Sequence, residues 1–209
     1  MEKVGEMTVK DLNPVRLRLA DAAIGFDVSS PLIEGVDLTI RAGEIVGLTG
    51  RSGIGKTTLL RTAAGLVRPL GGSVECCCTA ETRADKGAIG LIPQRLGLVQ
   101  HQTVGYNVLM GALAEASFLQ TALSLPSKRM REETRAVIEE VGLTEKTLES
   151  VNRLSGGQQR RVAIARAMLQ EPDLLLADEC LGELLSLIHI SEPTRLLSSA
   201  DGGFCVKKK

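Results

Sequence analysis

The chain has no tryptophan, one tyrosine and three phenylalanines. It therefore lacks the aromatic platform on which single-stranded nucleic acid stacks, and no nucleic-acid partner is expected. An excess of either charge is missing too, since 25 lysines and arginines balance 25 aspartates and glutamates. That neutrality gives no general attraction to a nucleic-acid backbone or a membrane surface. No apolar run reaches the roughly 20 residues that cross a bilayer. The stretch Met1 to Pro14 is too charged for a secretory signal. These absences predict a soluble intracellular protein that does any work at a membrane through a partner. Of the five cysteines, Cys76, Cys77 and Cys78 are adjacent, which excludes the usual C-x-x-C metal clip, and neither His101 nor His189 lies near them. They read as small strand residues, and an intracellular setting argues against disulfides. A length of 209 residues allows one domain, or one with a small inserted subdomain.

What is present is concentrated first at Gly50-Arg51-Ser52-Gly53-Ile54-Gly55-Lys56-Thr57. This matches the G-x-x-x-x-G-K-[ST] phosphate loop in the context that the loop needs. Glu44 to Leu48 reads as a short buried strand ahead of it, and Thr57 to Ala64 as a helix closed by Gly65. Glycines let successive backbone N–H groups turn inward as an anion nest, to which the helix N-terminus adds its positive end. Gly50, Ser52, Gly53, Gly55, Lys56, Thr57 and Thr58 form the expected phosphate cradle. Lys56 supplies a cation for the β- and γ-phosphates, and the Thr57 hydroxyl can ligate Mg²⁺.

Along the chain, Leu17 to Ile24 and Val36 to Ile40 predict strands around the polar turn Asp27 to Pro31. Val74 to Cys78 and Ala88 to Ile92 predict two more. Thr103 can cap a helix carrying Val104, Val108, Leu109 and Leu113. A second helix is expected from Lys128 to Val141, closed by Gly142, with Val137, Ile138 and Val141 inward and Lys128 to Glu133 as a solvated, ion-paired face. A third follows Leu154 to Gln158, with Val162, Ala163, Ala165, Met168 and Leu169 on its apolar side. Asp173 to Ala177 then reads as a buried parallel strand.

Leu154-Ser155-Gly156-Gly157-Gln158 opens the third helix and is physically another anion site: a hydroxyl, two glycines and a helix N-terminus. Two such loops in one chain resemble the ATP-binding subunits of ABC transporters, whose signature motif this is. The resemblance covers Leu17 to about Leu184. It implies an α/β fold: a P-loop NTPase core of ABC ATPase type with an antiparallel β portion (about Leu17 to Leu48 and Val74 to Ile92) and a helical subdomain over about residues 95–157. It implies a cytoplasmic ATPase, peripheral on the inner face of the membrane, that hydrolyses ATP with Mg²⁺. Its partners would be a second ATP-binding subunit paired head to tail, membrane permease subunits and, in an importer, a solute-binding protein. Ser155, Gly156, Gly157 and Gln158 would then serve the partner's ATP. Gln94 falls where the family contacts Mg²⁺ and the attacking water. Asp178 would hold Mg²⁺ with Thr57, and Glu179 would act as general base. Phe26 falls where the family stacks an aromatic on adenine, an ordinary core phenylalanine being the alternative. Leu98-Val99, Asn107 to Gly111 and Ala177 to Glu179 resemble importers of phosphonates and related oxyanions. Efflux or lipoprotein release, and a soluble ABC-type ATPase without a transport role, are the alternatives.

The pattern then departs from the family. Cys180 stands at the position usually held by proline, Leu185 stands where an aspartate is expected, and no histidine follows at the spacing of the γ-phosphate sensor. His189 comes too soon, and His101 is expected to be a surface residue. Leu185 to Arg195 resembles the translated end of a transposase-based sequencing-library adapter. The expectation is an ABC domain over residues 1–184 whose core is incomplete at the C-terminus, followed by a non-native tail over 185–209. A chain of that kind is expected to be inactive as it stands.

Overall fold

The computed structural model describes residues 14–76, 89–114, 126–178 and 203–206. Strand β1 (Val15–Ile24) lies between β2 (Ile33–Arg41) and β4 (Gly71–Cys76), antiparallel to both. Leu17 and Leu19 face the core by simple alternation. Asp21 then takes a left-handed φ of 46°, and the register shift there returns Ala22 and Ile24 to the inward face. The turn before β2 is local chemistry: Asp27 Oδ1 accepts from the Ser29 backbone N–H at 2.9 Å and from its hydroxyl at 2.7 Å. Those two donors hold the Asp27 carboxyl below its ordinary value.

A second sheet has the order β3-β7-β6-β5, with β3 Val46–Leu48, β5 Ile89–Ile92, β6 Leu174–Ala177 and β7 Gly203–Val206. β5 and β6 are parallel, while β7 runs antiparallel to both β3 and β6. It follows that β3, β5 and β6 point the same way. The antiparallel portion is therefore smaller than expected, because β3 and β5 belong to this second sheet. Short apolar runs carry no alternation that marks their sheet; the intervening connections decide it. β6 is buried throughout as expected, whereas Val46 and Leu48 of β3 are only half-buried. β7 falls within the segment read as a tail. Cys77, Cys78, Glu179, Cys180 and His189 lie outside the described residues.

Two cores result. Helix α1 (Lys56–Ala63) packs Leu59, Leu60 and Ala63 against Leu17, Ile40, Leu174 and Leu176. The other core gathers Val104 and Val108 of α2 (Val104–Leu109), Ile138 of α3 (Lys128–Glu140), and Val162 and Ile164 of α4 (Gly156–Leu169). After Leu109 the chain tightens into 3-10 turns over Met110–Ala114, so Leu113 is not on the α-helix that the stripe predicted. α3 starts at a Ser127 cap and shows its charged face to solvent, with Lys128–Glu132 at 3.7 Å and Arg129–Glu133 at 2.6 Å. Such exposed pairs contribute only about 0.3–0.5 kcal/mol each. α4 buries Ile164 and Ala167 as well as Val162, Ala163, Ala165 and Leu169 of the predicted stripe, while Met168 is only half-buried. The reason is its place between layers: Ile92, Leu175 and Ala177 of the second sheet share its core.

Candidate functional site

β3, β5 and β6 deliver three segments to one edge. The phosphate loop follows β3, Pro93-Gln94 follows β5, and Asp178 follows β6. Ile92 is in register with Ala177, and the Asp178 N–H donates to the Ile92 carbonyl at 2.9 Å, so Gln94 and Asp178 leave neighbouring strands side by side. Carboxyl ends of parallel strands are where open α/β sheets bind ligands.

In the loop, Gly53 and Gly55 have φ of 81° and 110°, the left-handed region that turns N–H groups inward. Gly55 is required twice over, since a Cβ there would also stand 3.2 Å from side-chain atoms of Leu32 and Ile33. The Lys56 ammonium donates back across the loop to the carbonyls of Gly50 (2.5 Å) and Arg51 (3.0 Å). α2, α3 and α4 each start at a side-chain cap from Thr103, Ser127 or Ser155; α1 starts at Gly55 with none. The first-turn donors of α1 are thus left for an anion by the same sequence that caps the other three helices. Ser52 and Gly53 are exposed, whereas Thr58 is buried.

The Thr57 hydroxyl donates to Asp178 Oδ2 at 2.8 Å, and Asp178 is buried. One hydroxyl and one carboxylate, both hard oxygen donors, suit Mg²⁺, which keeps several waters and uses one or two carboxylates plus substrate phosphates. Among the described residues no group of three or more His, Cys, Asp or Glu could hold a metal by itself. Gln94 is exposed at the same edge. Glu179, the expected base, follows Asp178 but lies outside the described residues.

Phe26 is 72% exposed, which removes the core alternative. It stands at the start of the turn whose far end, Leu32 and Ile33, lies against Gly55. His101 is exposed, as expected. Cys76 is buried in β4, with its thiol directed to the Arg16 carbonyl at 3.3 Å, which fits a strand residue better than a metal ligand.

Ser155 and Gln158 form a reciprocal cap: Ser155 Oγ accepts from the Gln158 N–H at 3.3 Å, and Gln158 Oε1 accepts from the Ser155 N–H at 2.9 Å. The Ser155 proton remains available to an anion. Leu154 beside it belongs to the helical core, whereas α1 belongs to the other core, so the two anion loops rest on different halves of the fold.

Two polar residues of the helical half escaped sequence reading. Asn107, 1% exposed, accepts from the Val99 N–H at 2.8 Å and donates to the carbonyls of Val99 (3.1 Å) and Thr103 (3.0 Å). Arg166 on α4 donates to the Leu96 and Gly97 carbonyls, both at 2.7 Å. An amide and a guanidinium inside apolar helical runs were the available signals.

Comparison with known proteins agrees with this geometry. The family model described as ABC transporter matches residues 33–182. A phosphonates import ATP-binding protein of Anaeromyxobacter dehalogenans is 44% identical over 154 residues, covering 70% of this chain and 31% of that protein. Another, from Cupriavidus metallidurans, is 39% identical over 196 residues, covering 87% of this chain and 67% of that one. A solved metal-chelate type ABC transporter in an inward-facing conformation superposes with a TM-score of 0.68 at 25% identity, over 83% of this chain and 66% of that one. The chain thus spans only part of the length of the relatives that it matches. The family match runs through both anion loops and the strand before Asp178, and on it the chain belongs to the ABC transporter family, among its ATP-binding members.

Proposed function

We propose that the protein binds Mg-ATP at the Gly50 to Thr58 loop and hydrolyses it to drive solute transport by a membrane complex. The observation that carries this reading is the Thr57–Asp178 pair beside an uncapped α1. The loop N–H groups and Lys56 hold the β- and γ-phosphates, and Thr57 and Asp178 would hold Mg²⁺. When bound, the metal supplies charge neutralisation at the phosphates. Gln94 orients the attacking water, Glu179 accepts its proton, and Phe26 stacks on adenine. Ser155, Gly156, Gly157 and Gln158 complete the site of a second subunit paired head to tail. The separate cores under the two loops favour that arrangement, because ligand binding across the interface then joins different halves of the fold.

Uptake of a phosphonate-class solute, with permease subunits and a solute-binding protein as partners, is favoured by the kinship to two phosphonates import ATP-binding proteins. Cytoplasmic attachment to the inner membrane face through the permease goes with it. Among the described residues, no helix is long and apolar enough to cross a membrane. The test is phosphate release by wild type and Glu179→Gln. The variant is expected to keep ATP binding, lose turnover and accumulate as a nucleotide-bound dimer. Undiminished turnover in it would remove Glu179 from the role.

A further inference from the structure

The segment just after Gln94 is wound into a tight turn: the Leu96 N–H donates to the Pro93 carbonyl at 2.8 Å, and the Gly97 N–H to the Arg95 carbonyl at 2.6 Å. Leu96 and Gly97 have φ of 57° and 58°. For glycine that is unremarkable, but for leucine the left-handed region is strained and persists only where the surroundings impose it. Two successive left-handed residues turn their carbonyls the same way, and both converge on one group, the Arg166 guanidinium. Its planar fork matches two adjacent oxygens better than any other side chain could. Burial also draws the guanidinium below its ordinary value, so the pair of carbonyls substitutes for lost water.

We infer that Arg166 is a positioning residue that locks the Pro93 to Gly97 turn and so fixes where Gln94 stands at the strand edge. The anchor is rigid: Arg166 belongs to α4, whose flanks are packed into the helical core on one side and against Ile92, Leu175 and Ala177 on the other. The same helix begins at Ser155. Arg166 therefore joins the residue proposed to face the chain's own γ-phosphate to the loop proposed to serve a partner's. It touches neither phosphate and acts only through the turn. This inference rests on the proposed function for its catalytic consequence, but its structural content stands apart from it.

The discriminating variant is Arg166→Lys, which keeps the charge and most of the packing but can satisfy only one carbonyl well. In the full chain, amide hydrogen exchange at Leu96 and Gly97 is expected to speed up by about 10- to 100-fold, the scale of one charge-assisted hydrogen bond. Exchange in α1 should change less than at the turn, and the thermal midpoint should fall by no more than about 10 °C, the scale of one such bond in a chain of this size. In the ATPase assay, kcat should fall by about 10-fold or more while KM for ATP changes by less than about twofold. In a Gln94→Ala background the added Arg166→Lys change should cost almost nothing, since it acts through Gln94. Unchanged exchange at Leu96 and Gly97, or exchange raised equally across the chain, would overturn the inference. So would losses that add in the double variant. Where wild type itself shows no turnover, the kinetic readout does not bear on Arg166, and the exchange result alone decides its role.

Discussion

The Thr57 hydroxyl and the Asp178 carboxylate, 121 residues apart in the chain, meet at 2.8 Å where α1 begins and β6 ends. A hydroxyl donating to a carboxylate holds both oxygens on one side of the phosphate loop, where the two residues would hold the proposed divalent cation. Asp178→Asn should therefore weaken ATP binding only in the presence of Mg²⁺. The expected loss is about 10- to 100-fold, the scale of a contact to a charged group. Nucleotide titration with Mg²⁺ and with EDTA separates the cases. Equal weakening in both would mean that Asp178 merely supports the loop.

How far the sequence foresaw this site depends on the range of the signal. The phosphate-loop motif and the α3 ion pairs are local, and each was readable from spacing within a few residues; the same range marked Ser155 as an anion loop at a helix start, while its cap emerged only in the structure. The Thr57–Asp178 contact is not local: the loop motif alone gave Thr57, and only the family resemblance added Asp178 and set the two together. Sheet membership failed for the same reason: Val46–Leu48 and Ile89–Ile92 are too short to show which neighbour they pair with. α4 looked amphipathic because Ala163, Ala165 and Val162 made a stripe, yet Ile164 on the other face is also buried against the sheet. Asn107 and Arg166 stood out as polar groups in apolar runs, but their roles were not readable, because their partners are main-chain carbonyls and amides that leave no trace in a side-chain pattern.

Ser155 has two possible tasks, and they can be separated. Ser155→Ala removes the cap of α4 and should cost about 1 kcal/mol. In a chain of this size that lowers the thermal midpoint by about 2–4 °C. Ser155→Asp keeps a capping oxygen and adds a favourable negative charge at the helix start, so stability should hold. The same charge would repel a phosphate. ATP-dependent dimerisation, followed by light scattering, should therefore fail in Ser155→Asp although the protein melts as wild type does. A normal dimer in that variant would reduce Ser155 to a cap.

Gly111 is a packing point. A Cβ there would sit 2.1 Å from the Arg166 carbonyl oxygen, a backbone atom of α4 that cannot swing aside. Gly111→Ala should force the Met110–Ala114 turns off α4 and cost about 3 kcal/mol, the upper end for overpacking. At about 2–4 °C per kcal/mol, the midpoint should fall by roughly 6–12 °C. Gly156→Ala serves as the control, because nothing lies within 4 Å of a Cβ at that site. Its melting curve should stay close to wild type. Similar melting of both variants would show that the helices can separate at little cost.

Phe26 tests the adenine end of the site. An aromatic ring that is 72% exposed gains little from its own fold, and it begins the turn that ends against Gly55. Stacking a base on such a ring contributes about 1–3 kcal/mol, so Phe26→Ala should weaken ATP binding by about 5- to 150-fold. Binding of inorganic triphosphate, which has no base, should not change. The absence of tryptophan from the sequence provides a direct probe. Phe26→Trp would carry the protein's sole indole, and its emission should respond to ATP and ADP while ignoring triphosphate. If emission is indifferent to ATP, or if Phe26→Ala weakens triphosphate and ATP alike, the ring supports the loop instead of the base.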